Sequence, residues 1–211
     1  MKNKEAPGHD KIPNEFFKMG GEIVSKILTR LFNKILKEKK IPKDWKRSDI
    51  ILTFKKGEKY KINNYRPISL SSSISKILAK VIEGRIKPFL IQPKEQAGFR
   101  PGYSTADHLH AINQLIEKCN EYQVELHLAF IDFAKAFDSL NHKFLLSALK
   151  NQGVPETFIK IIKEMYEGLE SRIVTDVVGN YFPVQRGVRQ GDPLSTLLFN
   201  CGLEEVFTNL D

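Results

Sequence analysis

Near the middle of the chain an aspartate follows an apolar segment, and an aromatic residue comes five positions later, in Phe130-Ile131-Asp132-Phe133-Ala134-Lys135-Ala136-Phe137-Asp138. The alternation of apolar and polar residues from position 124, and the apolar run after it, predict a strand that ends at Ile131. A carboxylate at the end of a buried strand is rigid and suits Mg²⁺, which prefers oxygen ligands and assists phosphoryl transfer. The simpler alternative is that Asp132 caps the helix that follows.

A second segment with residues that could bind a ligand is basic. It begins in a charged turn, Lys55-Lys56-Gly57, and continues at Asn64-Tyr65-Arg66-Pro67-Ile68-Ser69-Leu70. The planar guanidinium of Arg66 can bind two phosphate oxygens at once, and its backbone is restricted because a proline follows it. The lysine pair alone is typical of a solvated turn. The segment therefore indicates a phosphate contact at Arg66 more strongly than at Lys56.

Two glycine-rich segments, residues 96–105 and residues 186–195, each lead into a predicted helix. Glycine lets the backbone approach a phosphate chain or a base pair closely, and a helix N-terminus carries a partial positive charge. Each segment also has a purely structural interpretation. Ser104 and Asp107 have the spacing of a capping box, and Asp192 or Gly191 can cap a helix with Pro193 at its first position.

Taken in order, these segments resemble the reverse transcriptases of non-LTR retrotransposons, from about Pro7 to about Leu203. The opening Ala6-Pro7-Gly8-His9-Asp10-Lys11-Ile12-Pro13 is similar to the extension that such enzymes carry ahead of their fingers. The resemblance implies RNA-directed DNA synthesis from deoxynucleoside triphosphates, on an RNA template with a DNA primer. It also implies Mg²⁺ as the cofactor, with Mn²⁺ as an alternative.

The resemblance assigns roles to individual residues. Asp132 would be the catalytic metal ligand, with the Phe133 carbonyl as a further ligand. Phe137 would exclude a sugar 2′-hydroxyl, although an ordinary core phenylalanine is an equal alternative. The other assigned residues would contact the nucleotide, at Lys56, Arg66, Gln190 and Gly191, or the template and primer, at Gly98, Phe99, Arg100 and Arg189. Asp138 is expected to be a structural cap or hydrogen-bond acceptor and not a metal ligand.

The sequence departs from this family because it contains no Asp-Asp dipeptide, and we expect the thumb to be missing as well. The family completes its metal site with such a pair in its next motif. The chain ends at Leu210-Asp211, so we expect it to hold the fingers and part of the palm and to be inactive alone. Two other hypotheses are a non-catalytic nucleic-acid-binding protein and a remnant without function.

The chain is basic, with 33 Lys and Arg against 25 Asp and Glu, a net charge of +8 and a pI near 9.3. This excess favours a polyanionic partner, nucleic acid before a membrane, or else a solvated basic surface. Two distant cysteines predict neither a disulfide nor a zinc site, and no segment has the character of a signal peptide or membrane span. We therefore expect an intracellular protein, cytoplasmic or nuclear. Nothing in the sequence specifies its oligomeric state.

Hydrophobic periodicity predicts an α+β fold. The resemblance to reverse transcriptases implies the right-hand polymerase type, with fingers and the N-terminal extension over residues 1–110, a partial palm over residues 111–211 and a small antiparallel sheet. A short helix is expected after Ile12-Pro13, and a hairpin is expected over residues 173–184 with its turn at Gly179-Asn180. The remaining predicted strands cover residues 50–54 and 124–131. The remaining predicted helices cover residues 22–39, 71–90, 104–119, 142–150, 155–168 and 193–210.

Overall fold

The computed structural model describes residue 3, residues 5–92 and residues 95–208, and it forms two compact units. The first unit comprises residues 1–90 and 136–211, and the second comprises residues 91–135. The predicted helix end at Leu210 and three residues of the N-terminal segment, Met1, Lys2 and Lys4, lie outside the described residues. The division into fingers and palm at residue 110 stays a prediction.

The described chain contains helices α1 to α8 and strands β1 to β4. In chain order they are α1 (Asn14–Met19), α2 (Gly21–Glu38), β1 (Arg47–Phe54), β2 (Tyr65–Leu70), α3 (Ser73–Ile86), α4 (Thr105–Glu121), α5 (Ala136–Ser139), α6 (His142–Asn151), α7 (Glu156–Tyr166), β3 (Glu170–Ile173), β4 (Phe182–Pro183) and α8 (Pro193–Thr208). The predicted helices are confirmed within a few residues of their expected ends. Side-chain caps support the starts of α3 and α6, since Ser72 Oγ accepts from Ser75 N at 3.2 Å and Asn141 Oδ1 accepts from Lys143 N at 2.8 Å.

The four strands form one mixed sheet in the order β2-β1-β3-β4. The prediction of an antiparallel sheet was wrong at one pairing, because β1 and β3 are parallel. Parallel neighbours need a long crossover connection, and here the chain passes through several helices between β1 and β3. Three side-chain pairs join these strands. The hydroxyls of Ser48 and Ser171 lie 2.8 Å apart, Arg172 Nε donates to Asp49 Oδ1 at 2.7 Å, and Arg47 Nε donates to Glu170 Oε2 at 3.0 Å.

An antiparallel pair, β3 and β4, forms near the end of the sheet as predicted, but its first strand covers Glu170–Ile173 and not residues 173–178. Its predicted turn at Gly179-Asn180 was wrong. The chain reverses earlier, where Thr175 N donates to Val177 O at 3.2 Å and Val174 forms a bridge with Val178. A glycine–asparagine pair predicts a two-residue hairpin turn only where the residues on both sides of it are paired directly. Here the pairing is irregular between the bridge and β4.

The hydrophobic core of the first unit lies where α3, α6, α7 and α8 pack together. Each helix presents residues spaced three or four positions apart, so that one apolar face is buried. The largest fully buried apolar side chains are Leu78, Ile82, Ile86, Leu145, Leu149, Ile161, Ile162, Leu194 and Leu198. Among the described helices, none is long and apolar enough to cross a membrane.

The second unit contains α4, which begins at the predicted capping box. Ser104 N donates to Asp107 Oδ2 at 2.6 Å, and the Ser104 hydroxyl donates to the same oxygen at 3.0 Å. These hydrogen bonds lower the pKa of Asp107. The capping-box prediction is therefore confirmed.

The strand predicted over residues 124–131 was wrong, because this segment of the second unit is irregular. Phe130 is 81% exposed and Ile131 is 80% exposed. A strand requires a neighbour that takes up its backbone hydrogen bonds, and the described residues of this unit contain no other strand. Apolar alternation alone was therefore insufficient to form one.

Two isoleucine-to-alanine substitutions test the position of the core. Ile82→Ala removes a fully buried side chain from α3 and should lower the free energy of unfolding by about 2–5 kcal/mol. Ile27→Ala, on α2, is the matched control because Ile27 is 58% exposed, and it should change stability by less than about 0.5 kcal/mol. Urea denaturation measures both. Equal effects of the two substitutions would contradict the assignment of the core.

Candidate active site

The segment over residues 186–192 lies directly against α5 and the turn after it. Gly187 N donates to Leu140 O at 2.8 Å, and Val188 N donates to Phe137 O at 2.8 Å. Gly187 has φ +85°, and a Cβ built there would lie 2.7 Å from the Asp138 Cα. Only glycine fits this contact without displacing backbone, which explains the glycine at this point of the motif.

Gln190 is held through both its backbone and its side chain. Its carbonyl oxygen accepts from Ser69 N at 3.0 Å, which joins the segment to the end of β2. Its Nε2 donates to Asp138 Oδ1 at 3.3 Å, so the prediction that Asp138 is a hydrogen-bond acceptor is confirmed. Gln190 and Asp138 both line a cleft of about 230 Å³ over one face of the sheet, with Arg186 also lining it.

Gly191 follows in a left-handed conformation and leads into α8. Its φ is +102°, and a Cβ there would lie 3.4 Å from Ser69 O. Asp192 then caps α8, since its Oδ1 accepts from Leu194 N at 3.0 Å and Pro193 takes the first helical position. The structural interpretation of this segment as a capped helix start is thus confirmed.

Arg189 points inward, towards a set of polar groups beneath the segment. Its Nη2 donates to Trp45 O at 3.1 Å. Burial raises the pKa of Asp192, and the nearby Arg189 charge opposes that rise. Burial likewise lowers the pKa of Arg189 and raises the pKa of the Tyr166 hydroxyl. The placement gives Arg189 a structural role, while its contact with a template and primer stays a prediction.

Phe137 is half-buried and stacks on Phe199 of α8. The ring centroids are 4.9 Å apart and the rings are inclined by 16°. The Phe137 ring also packs against the core of the unit. It is therefore part of the packing of α8, and a contact with a sugar would use its remaining exposed edge. Sequence reasoning missed Phe199, whose only signal was an aromatic residue in the helix that follows the motif.

Lys56 and Arg66 lie on the hairpin of β1 and β2. Asn64 closes the connecting loop, because its Nδ2 donates to Glu58 O at 2.9 Å and its carbonyl accepts from Lys55 N at 2.8 Å. Arg66 is exposed and pairs with Thr53 in the sheet. It precedes Ser69 by three residues on β2, which corresponds to about 10 Å along the strand. The same strand thus carries Arg66 and the backbone contact of Gln190.

The remaining predicted site residues belong to the second unit. Gly98 and Phe99 form a turn in which Phe99 has φ +58°, and the Arg100 guanidinium lies 4.3 Å from the centroid of the Tyr103 ring. Asp132 and Phe133 are exposed in the irregular segment. A carboxylate and a backbone carbonyl are hard oxygen donors of the kind that Mg²⁺ prefers. In the part of the chain that the structure describes, no group of three His, Cys, Asp or Glu side chains is placed to bind a metal.

A larger cavity of about 820 Å³ lies in the first unit and is bordered by Ser69, Gly191 and Pro193. Its walls combine apolar side chains with the lysines of α1 and α3, namely Lys18, Lys76 and Lys80. Such a combination of cationic and apolar surface is compatible with a nucleic-acid strand, whose phosphates are anionic and whose bases are apolar on their faces.

Comparison with known proteins shows the family of this chain. Residues 54–211 match the family described as reverse transcriptase (RNA-dependent DNA polymerase), and the chain belongs to this family. It is 32% identical over 206 residues to the probable RNA-directed DNA polymerase from transposon BS of Drosophila melanogaster, covering 93% of this chain and 22% of that protein.

Two further relatives are also products of mobile elements. The chain is 30% identical to the transposon TX1 uncharacterized 149 kDa protein of Xenopus laevis, covering 97% of this chain and 16% of that protein. It is 28% identical to the Pol polyprotein of the retrotransposable element R2DM of Drosophila melanogaster, covering 97% of this chain and 19% of that protein. The relatives are thus proteins of non-LTR retrotransposons, and the chain spans about a fifth of their length.

The contact at Gly187 generates a stability prediction with a matched control. Gly153 also has positive φ, at +79°, but a Cβ there would meet nothing within 4 Å. Gly153→Ala should therefore lower the free energy of unfolding only through backbone strain, by about 1–2 kcal/mol. Gly187→Ala adds a clash with the backbone of α5 and should lower the free energy of unfolding by about 3 kcal/mol or more. Urea denaturation separates the two variants, and an equal loss in both would show that the segment does not dock closely on α5.

Proposed function

We propose that this chain forms the nucleotide-binding part of an RNA-directed DNA polymerase of a non-LTR retrotransposon. The observation that carries the proposal is the docking of Gln190 between β2 and Asp138, within a chain of the reverse transcriptase family. In the right-hand arrangement that we propose, residues 1–110 form the fingers and residues 111–211 belong to the palm. Such a polymerase would work in the cytoplasm or nucleus, where RNA and deoxynucleotides are present.

Five residues of the first unit would shape the site for the incoming deoxynucleoside triphosphate. Lys56 and Arg66, at the exposed hairpin of β1 and β2, would bind its phosphates. Gln190 and Gly191 would lie against the nucleotide and the templating base, because Gly191 has no side chain above Ser69. The exposed edge of Phe137 would face the sugar at its 2′ position, with the Phe199 ring supporting it from behind.

Asp132 and the carbonyl of Phe133 would hold a divalent cation, Mg²⁺ or Mn²⁺. The bound cation would neutralise charge on the reacting oxygens of the phosphoryl group. The contribution of this chain is to supply a carboxylate six residues before Asp138, on the segment that leads into α5. The exposure of both residues supports this role, since a ligand must be accessible to the substrate.

Gly98, Phe99 and Arg100 would contact the RNA template and the DNA primer. Gly98 and Phe99 are exposed in their turn, and Arg100 stacks beside Tyr103 in the same turn. Arg189 would act indirectly, through its support of the segment that carries Gln190.

A steric role for Phe137 can be measured in the full-length polymerase that carries this chain. Phe137→Val should open space at the sugar, so that kcat/KM for ribonucleotides rises relative to deoxynucleotides by about 10-fold or more. Asp132→Asn should instead lower kcat for both substrates by about 100-fold or more, because it removes a charge at the metal.

The control for this prediction is Phe158→Val, in the half-buried face of α7. It removes the same atoms from the core without touching the proposed pocket, so the ratio of the two kcat/KM values should stay unchanged. If Phe137→Val also leaves that ratio unchanged in an active enzyme, Phe137 is a core residue and its assignment to the pocket is wrong.

Nucleic-acid binding by the 211-residue chain provides a separate test. Its net charge of +8 should give an affinity that falls steeply with salt, because neutralising phosphates releases counterions. Lys56→Ala and Arg66→Ala should each reduce the slope of log K against log salt by about 1. Fluorescence anisotropy with an RNA–DNA duplex measures these slopes.

Lys37→Ala is the charge-matched control, because Lys37 is exposed on α2 and lies outside the proposed site. It should leave the slope unchanged. A flat salt response in the unsubstituted chain would contradict nucleic-acid binding, and an equal change in all three variants would contradict the assignment of Lys56 and Arg66.

A further inference from the structure

The side chain of Gln190 has two chemically different ends, and its use in a binding site depends on which end faces the cleft. The amide nitrogen only donates hydrogen bonds and the amide oxygen only accepts them. Without a fixed neighbour the amide can rotate by half a turn about its last bond, and the two ends exchange places. A site that recognises a nucleotide through this amide therefore needs a group that fixes its orientation.

Asp138 has the chemistry to fix that orientation. An ionised carboxylate has no proton to donate, so only the nitrogen end of the Gln190 amide can bind to it. The structure has this arrangement, with Nε2 at 3.3 Å from Asp138 Oδ1. Both residues line the same cleft of about 230 Å³, and both are half-buried, so water competes only partly for the contact.

The backbone that carries Asp138 is held independently of its carboxylate. The main-chain hydrogen bonds from Gly187 N to Leu140 O and from Val188 N to Phe137 O flank Asp138 on both sides. Neither bond involves the Asp138 side chain. Removing the carboxylate should consequently leave the docked segment in place and release only the Gln190 amide.

We propose that Asp138 is a positioning residue that turns the Gln190 amide so that its Oε1 is presented to the cleft as a hydrogen-bond acceptor. This inference rests on the proposed function, because Oε1 would accept a hydrogen bond from the bound nucleotide. The donor would be a sugar hydroxyl or a base amine. A hydrogen bond to a charged partner is stronger than a neutral one, so the carboxylate suits this task better than an amide would. Asp138 itself does not touch the nucleotide.

The contact can be observed by NMR in the 211-residue chain, without any assay of activity. The side-chain amide signals of Gln190 are identified by their loss in Gln190→Ala. Asp138→Ala should move these signals towards the positions of a solvated glutamine, whereas Asp138→Asn, which keeps an acceptor oxygen, should move them less. Asp176→Ala, in the exposed hairpin turn, is the control and should leave them unchanged. Unchanged Gln190 signals in Asp138→Ala would overturn the proposal.

The functional consequence is measured by a double-mutant cycle in the full-length polymerase that carries this chain. Asp138→Ala should lower kcat/KM for the deoxynucleotide by about 10-fold, chiefly through KM, and Asp138→Asn should retain activity within about 3-fold. Gln190→Ala should lower kcat/KM by a similar factor, and adding Asp138→Ala to it should lower it no further. Full additivity in the double variant would show that Asp138 acts elsewhere and would overturn the proposal.

Absence of primer extension by the unsubstituted full-length polymerase would instead contradict the proposed function. The NMR result would then still decide whether Asp138 orients Gln190.

Discussion

The hydrogen bonds that Gly187 and Val188 donate to the backbone of Leu140 and Phe137 are the contact on which the candidate site depends. They bring a loop from late in the chain against the short helix α5, which follows Asp132 closely in sequence. The approach is so close that a Cβ at Gly187 would fall within 3 Å of backbone atoms. The absence of a side chain at Gly187 therefore allows the close contact that brings Phe137 and Asp138 near Gln190.

The docked segment is supported from beneath by polar groups and not by apolar packing alone. Arg189 donates to the carbonyl of Trp45, and Asp192 caps α8. Burial lowers the pKa of Arg189 and raises the pKa of Asp192, so it disfavours the charged form of each. Charged groups in such surroundings are costly unless they have partners, so their geometry is closely constrained. The attraction between the opposite charges of Arg189 and Asp192 offsets part of this cost.

Local sequence patterns predicted most helices, the capping box at Ser104 and the capped helix start after Gln190. These features depend on neighbours a few residues away. Strand β2 was not predicted, because Pro67 argues against a strand unless it lies at a sheet edge, as it does here. The parallel pairing of β1 and β3 and the stacking of Phe137 on Phe199 join distant parts of the chain. Spacing alone carries no information about such contacts, and the same limit applies to the irregular segment before Asp132.

Amide hydrogen exchange at Gly187, Val188 and Ser69 tests the central claim most directly, because their N–H groups donate the hydrogen bonds that assemble the site. If the segment is docked on α5 and β2 as described, these three amides exchange only when the unit unfolds, as slowly as amides within α3. Exchange at these positions as fast as in the exposed turn around Val177 would contradict the account. In that case Gln190, Asp138 and Phe137 would not share one site.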